Sequence, residues 1–459
     1  MTIEAKDEDD KVEGTLKDVN IEATGDKAAG SVTRKGDTNI ELDGDNELKS
    51  GAGHAGLEHN KTDTSGELTI QDKDNNGSLE AAGGFKGAGI GSAGSNDAQV
   101  KITGGNITAT SDDWGAGIGS GSYGTGTVEI TGGEINATGG YLGAGIGGGC
   151  NGSGNVTISG GTITAAGSDG AAGIGGGYYN GATVTITGDA VIKNTSSTKY
   201  GAGIGGGNGS DGNVTISGNA KIENATGGYG AAGIGGGAFS SPDKIGNGNV
   251  VIKDNAKIDN VQGGAYGAGI GGGIFGLSNV TIEGNTKVNA TGGAGGAAIG
   301  GGAGAENNSD NNGNQITIKS NENGSPTINA VGGGTDEGEE IVIGGAGIGA
   351  GCESDADADI TLEGKVTITA TAGKDNVAIG ANGIEQEFSG LAEGSSITRY
   401  GSEGNDITLP TDPVPAVPSS SGGGSAGASV QESVFPGLIV TDKDGQRISY
   451  TSIRGNNVL

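Results

Sequence analysis

Cysteine is nearly absent. Cys150 and Cys352 are the only two in 459 residues, and both follow a copy of the same glycine-rich motif, about six repeats apart. At ~4.8 Å per stacked strand that separation is on the order of 29 Å, so they are expected to be free thiols, neither a disulfide nor a zinc site. Basic residues are also in deficit, 25 against 55 acidic, for a net charge of −30. That balance argues against nucleic acid or an anionic membrane as partner. No run approaches 18 apolar residues, which excludes a helical membrane span. Met1 to Lys6 has no signal-peptide core and begins on a strand-like run, so truncation at that end is expected, with the export signal missing. With 32% hydrophobic and 3% aromatic residues, the chain would pass for disordered unless its few apolar side chains are strictly placed.

They are strictly placed. Glycine numbers 105, and the run Gly87-Ala88-Gly89-Ile90-Gly91 returns in close variants starting at Gly115, Gly143, Ala171, Gly201, Ala231, Gly267, Gly296, Gly345 and Asn376. Most intervals lie between 28 and 31 residues, and the two longest are 36 and 49. Periods of this size mark stacked repeats in which one unit cannot bury its apolar face alone. Within a period, Val156-Thr157-Ile158, Ile163-Thr164-Ala165 and Ala172-Gly173-Ile174 alternate with period two between turn-forming residues, and nothing of helical spacing intervenes. Three short strands per coil, each pairing with its counterpart one coil later, predict an all-β fold: a single-stranded parallel β-helix of about 12 coils. Propeller blades need about 40 residues and four strands.

The coil region is read as residues 1–400, with atypical coils over 1–86 and regular ones over 87–385. Residues 401–432, from the proline-rich Leu409–Pro418 into a Ser/Gly run, read as a linker. Residues 433–459 resemble the opening hairpin of a further β module. Longer intervals hold insertions around Ser241-Pro242-Asp243, Asn307–Asn312 and Thr335–Glu340, which a solenoid places in surface loops.

The motif strand has Ala and Ile on its predicted inner face and almost only Gly outside, so it is expected to expose a strip of bare backbone, unless the glycines serve tight bends or another segment covers it. Eleven of the fifteen aromatics flank this strip. Phe85, Trp114, Tyr141, Tyr200, Tyr229 and Tyr266 precede the motif by one or two residues, and Tyr123, Tyr178, Tyr179, Phe239 and Phe275 follow it. Stacked coils would turn them into two ridges. Such ridges suit a polysaccharide, whose apolar sugar faces stack on rings while hydroxyls reach polar turns; they equally suit a stabilising ladder of ring on ring.

Other chemistry finds less support. The four arginines, Arg34, Arg399, Arg447 and Arg454, lie outside the regular coils, where a lyase would need one. Asp112, Asp113 and Asp169 are the acidic residues close beside the motif that a glycosidase pair could use. His54 and His59 share one coil and are expected in surface or turn roles. Asp72–Gly77 imitates the start of a calcium loop, but Gly83 stands where a bidentate Glu belongs. Asp355, Asp357 and Asp359 could hold calcium weakly, the one cofactor left open. The outward column Lys101, Glu129, Thr157, Thr185, Thr215, Val251, Thr281, Thr317 and Thr361 raises ice binding, though Lys, Glu and Val interrupt it.

The copies Gly143–Gly149 and Gly201–Gly207, with Val156–Ala165 and the lead-in Leu48-Lys49-Ser50-Gly51 with His54-Ala55-Gly56-Leu57, resemble the glycine-rich repeat regions of large secreted or wall-attached proteins of Gram-positive gut bacteria. The likeness spans about residues 35–385. Some such regions are similar to β-helical carbohydrate-binding domains, and the resemblance implies extracellular glycan recognition without a shared set of binding residues. The sequence is therefore read as an extracellular, non-catalytic binding or adhesion module for a polysaccharide or surface glycan. A structural stalk is the first alternative and a glycan-cleaving enzyme the second.

Overall fold

The computed structural model describes residues 1–3, 7, 11–32, 36–61, 65–238, 241, 244–307, 313–334 and 343–414. The compact unit they form runs to Pro415; most of the expected linker, the expected hairpin, and Phe239, Arg34, Arg447 and Arg454 lie outside the described residues.

Alternating Val-x-Ile and Ile-x-Ala runs leave one apolar face per strand, and coil stacking buries all of these faces in one continuous core. The result is a parallel β-solenoid of about 12 coils, with no helix among the described residues. Three sheets run its length. The valine sheet stacks Val100, Val128, Val156, Val184, Val214, Val250 and Val280 in register. The alanine sheet does the same for Ile107, Ile135, Ile163 and Ile192 and for Ala109, Ala137 and Ala165. The glycine sheet consists of fourteen very short strands, in which Ile118, Ile146 and Ile174 are neighbours and fully buried.

Register survives the long intervals. Ile234 pairs with Ile270 and Ile299 with Ile348, so the added residues leave the stack as loops. In the turn between the valine and alanine sheets an amide ladder links coils: Asn219 donates to Asp189, Asn255 to Asn219 and Asn285 to Asn255, at 3.0–3.2 Å.

Two expectations need correction. Residues 401–414 are not linker: Ile407 N–H donates to the Arg399 carbonyl, Pro413 accepts from Ile397, and Asp412 is buried. Nor does the motif form an extended strand with a bare outer face. Only Ile146–Gly147 is strand. Ala144 N–H donates to the Gly148 carbonyl at 2.9 Å, curling the motif on itself, and Gly143 through Gly149 are all buried. The glycines are required by close approach of backbone: a Cβ on Gly145 would stand 2.7 Å from both Ala166 N and Gly173 O, and one on Gly147, whose φ is +129°, would overlap the Gly175 carbonyl.

Candidate functional site

Closure of the curl decides where the aromatics go. Cys150 N–H donates to the Trp114 carbonyl of the preceding coil at 2.7 Å, and the same bond recurs from Tyr178 to Leu142, Asn208 to Gly170, Ala238 to Tyr200 and Ala303 to Tyr266. Residues after the motif are thereby sewn to residues before it in the previous coil. The two expected ridges become neighbours on one composite ridge, with the glycines beneath.

The aromatics before the motif alternate between two columns. Phe85, Tyr141 and Tyr229 stand two residues ahead of it, and Trp114, Tyr200 and Tyr266 one residue ahead. Ring centroids lie 5.3 Å apart for Phe85–Trp114, 6.3 Å for Tyr200–Tyr229 and 5.5 Å for Tyr229–Tyr266. Lys86 sits over both Phe85 and Trp114, at 5.2 and 5.1 Å. The row is interrupted at Asp169-Gly170, where the Tyr178 ring fills the space a Gly170 side chain would need. Tyr178 hydrogen-bonds through its hydroxyl to Tyr179 at 2.7 Å, and burial, followed by that bond, pushes its hydroxyl up to about 12. Lys244 stands 4.2 Å from the Tyr179 ring centroid. Phe85, Tyr123, Tyr141, Tyr200, Tyr229 and Phe275 are exposed by 40–58%.

Both turn columns run at positive φ in most coils, with Lys86, Leu142, Ser95 and Asn151 there as well as glycine, and several of the rings sit in them. Trp114 and Tyr266 have φ of +62° and +72°, at the column position that Gly170, Gly230 and Gly295 fill in sister coils; Tyr123, Tyr179 and Phe275, at +62° to +67°, share a column with Gly209 and Gly304. A bulky residue in that region is a genuine outlier and costs about 1–2 kcal/mol relative to an unstrained one.

The carboxylates beside the ridge are divided. Asp169 pairs with Lys199 at 2.8 Å. Asp113 is held above the usual carboxylate range by burial and by Asp112. Behind it, burial pushes the Cys150 thiol up to about 11, and Cys352 likewise; both thiols are free and buried.

Asp355, Asp357 and Asp359 are not brought together. Asp355 lines an acidic hollow of about 230 Å³ with Glu353 and Asp375. Asp357 accepts hydrogen bonds from Asn307 and Asn382, and Asp359 pairs in register with Gln315. The Asp72 carboxylate accepts from the N–H groups of Asn76 and Gly77, as turn chemistry requires. The column Lys101 to Thr361 stacks in register, with Lys101 and Glu129 ion-paired at 3.0 Å, and a shallow groove of about 320 Å³ lies over Thr157 and Thr185.

The histidines depart from expectation. His54-Ala55-Gly56-Leu57-Glu58-His59-Asn60 occupies the place of Gly-Ala-Gly-Ile-Gly-Gly-Gly, with Leu57 against Ile90. His54 Nδ1 meets the Glu58 carboxylate at 2.6 Å, and Asn60 donates to the same group at 2.9 Å. His59 is fully buried, its Nε2 3.0 Å from the Gly66 carbonyl and its Nδ1 unpartnered. The carbonyl requires a proton on Nε2; a second proton, on the buried Nδ1, would find no acceptor, and burial lowers the ring's pKa from the ordinary 6.5. Above pH 6.5 both folded and unfolded imidazoles are neutral; below it only the unfolded one gains a proton, so stability falls with falling pH until the folded ring also titrates. Urea midpoints compared at pH 7.5 and 5.5 are expected to drop more in wild type than in His59→Gln. Equal drops would remove His59 as a source of acid sensitivity.

A family model described as a beta helix repeat matches residues 100–122, 128–150, 156–178 and 214–238. Each match begins at a stacked valine and ends just past the glycine motif, one coil at a time. No curated protein and no solved structure matches the chain. The chain folds as a β-helical repeat protein, and these four coils are similar to beta helix repeats.

Proposed function

We propose that the chain is an extracellular, non-catalytic binding or adhesion module that takes a polysaccharide along the composite aromatic ridge. The observation that carries this reading is the row of aromatic rings that stay half-exposed along one ridge of the stacked coils. A stabilising ladder alone gives weak grounds for that exposure: Tyr141 has no ring against it among the described residues, and six of the rings keep 40–58% of their surface exposed. Half-exposed rings in a row, with Asp, Asn and Lys at hand, suit sugar faces and hydroxyls.

A glycan array probed with wild type, Trp114→Ala and Tyr141→Ala tests the proposal. Each lost stack of about 1 kcal/mol weakens binding roughly fivefold, while the circular-dichroism melt stays within a few degrees of wild type. Absence of any glycan signal for folded wild type would favour the stalk. Release of reducing ends from a bound glycan would favour a glycan-cleaving enzyme.

A further inference from the structure

Asparagine followed by glycine is the pairing in which a backbone nitrogen most readily attacks a side-chain amide, because glycine has no side chain to hinder the approach. Seven such pairs lie among the described residues, and the fold treats them unequally. In five of them the glycine N–H is already committed: Gly77 donates to Asp72 Oδ2 at 3.0 Å, Gly152 to the Gly149 carbonyl, Gly209 to Ala238, Gly248 to Leu277 and Gly324 to Asn321. Attack by any of these nitrogens has to break that bond first. Gly181 N–H has no partner among the described residues, but its pair is clamped. The Asn180 carbonyl accepts from Gly207 of the next coil, and a Cβ on Gly181 would stand 3.0 Å from the Asp211 carbonyl.

Asn382–Gly383 differs on every count. The pair is the two-residue tip of the hairpin that joins Ile379–Ala381 to Ile384–Glu385, with φ of +53° and +72°, as a type I′ turn requires. Both residues are exposed, and neither the Asn382 carbonyl nor Gly383 N–H has a partner among the described residues. A Cβ on Gly383 would meet nothing within 4 Å. Asn382 Nδ2 donates only a long bond, 3.4 Å, to Asp357, beside the hollow that Asn382 lines with Glu353, Asp355 and Asp375.

We propose that Asn382 deamidates spontaneously in the folded protein, and that the product loosens the hairpin against the glycine sheet. Gly383 N, losing its proton to solvent base, bonds to Asn382 Cγ, and the side-chain amide leaves as ammonia. Water then opens the cyclic imide at either carbonyl, giving aspartate or, with the chain rerouted through the side chain, isoaspartate. Either product faces Asp357 with a carboxylate where a donor stood. Isoaspartate also lengthens a turn whose two residues set the register.

That turn positions Glu385. Its carboxylate accepts the N–H groups of Ala378 and Ile379 at 2.6 and 3.1 Å, whereas one coil earlier Ile348 N–H reaches the backbone carbonyl of Ala378. Glu385 also takes Arg399 Nη1 at 2.5 Å. Arg399 is fully buried at an interior position in register with Ala370, and holds Asp412 through Nε and Nη2 at 2.7 and 2.9 Å. A displaced hairpin therefore uncovers Ala378 and Ile379.

The full chain, aged in mildly alkaline buffer made with heavy-oxygen water and digested at intervals, is read by peptide mass. Asn382 is expected to take up heavy oxygen about tenfold faster than Asn76, Asn151, Asn208, Asn247 or Asn323, and all six should react at similar rates in concentrated urea. Hydrogen exchange at Ala378 and Ile379 should quicken several-fold in the aged chain and in Asn382→Asp. Asn382→Gly, which suits the turn and cannot form the imide, should stay at the wild-type rate. Equal uptake at Asn382 and the five bonded pairs in the folded chain would overturn the site. Wild-type exchange in both the aged chain and Asn382→Asp would overturn its effect on the hairpin.

Discussion

Gly147→Ala is expected to lose about 4 kcal/mol or more of stability, which is exceptional for the addition of one methyl group. Two effects add. The residue sits at φ +129°, outside the regions open to L side chains. Its new Cβ would also overlap the Gly175 carbonyl, which accepts from Gly148 N–H at 3.0 Å. Neither neighbour can retreat, since Gly119 and Gly175 meet the carbonyls of the coils after them in the same way. In a stacked array each coil is held by its neighbours, so the defect breaks the column locally. Hydrogen exchange should show protection lost first around Ile146 and Ile174, and the urea midpoint should fall steeply. Thr157→Ala, on the outer face of the same coil, should change stability by no more than about 1 kcal/mol. Equal effects from the two substitutions would mean that backbone contact is not what the motif's glycines provide.

The columns are legible in the sequence because Val, Ile and Ala have side chains whose alternation reports an inner face. Ile118, Ile146 and Ile174 align without coordinates, and they do pair. The glycine motif misleads for the complementary reason. Glycine carries no side chain to show which way it faces, and the curl depends on an Ala144–Gly148 bond and a Cys150–Trp114 bond between coils that no alternation encodes. The aromatic residues can be grouped by their distance from the motif, but the joining of the two ridges follows from the curl. The positive φ of Trp114 and Tyr266, shared with Lys86, Leu142 and Gly230 in the same column, has no signal in their spacing.

Chain-end chemistry leaves a trace that register exposes. Aligning Ser396-Ile397-Thr398-Arg399 with Thr367-Ile368-Thr369-Ala370 puts an arginine where the core expects alanine. Aligning His54–Asn60 with the motif puts His, Glu and Asn where glycine is the rule. In each case a charged side chain takes a position that the regular coils reserve for backbone or a methyl group. Glu58, at the register position of Gly91, is held by His54 and Asn60, and Glu385 is held by Arg399.

Replacing Arg399 alone should therefore be far more damaging than replacing the whole cluster. Arg399→Ala leaves the Glu385 and Asp412 carboxylates in place without their cation; the Asp412 side chain has no exposed surface. Removing one partner of a buried pair costs about 3–5 kcal/mol, because the remaining charge is uncompensated. The loss should be confined to the last coils, as interfaces in a solenoid act between neighbours. Hydrogen exchange should rise at Ala378, Ile379 and Ile397 while Ile118 and Ile146 keep wild-type protection. Arg399→Lys retains the charge but not the two-pronged contact with Asp412, so it should fall between wild type and Arg399→Ala. Arg399→Ala combined with Glu385→Ala and Asp412→Ala lacks the stranded carboxylates and should recover much of the loss. If Arg399→Ala and the triple variant unfold alike, the deficit comes from the packing that the arginine side chain supplies among the last coils, and not from stranded charge.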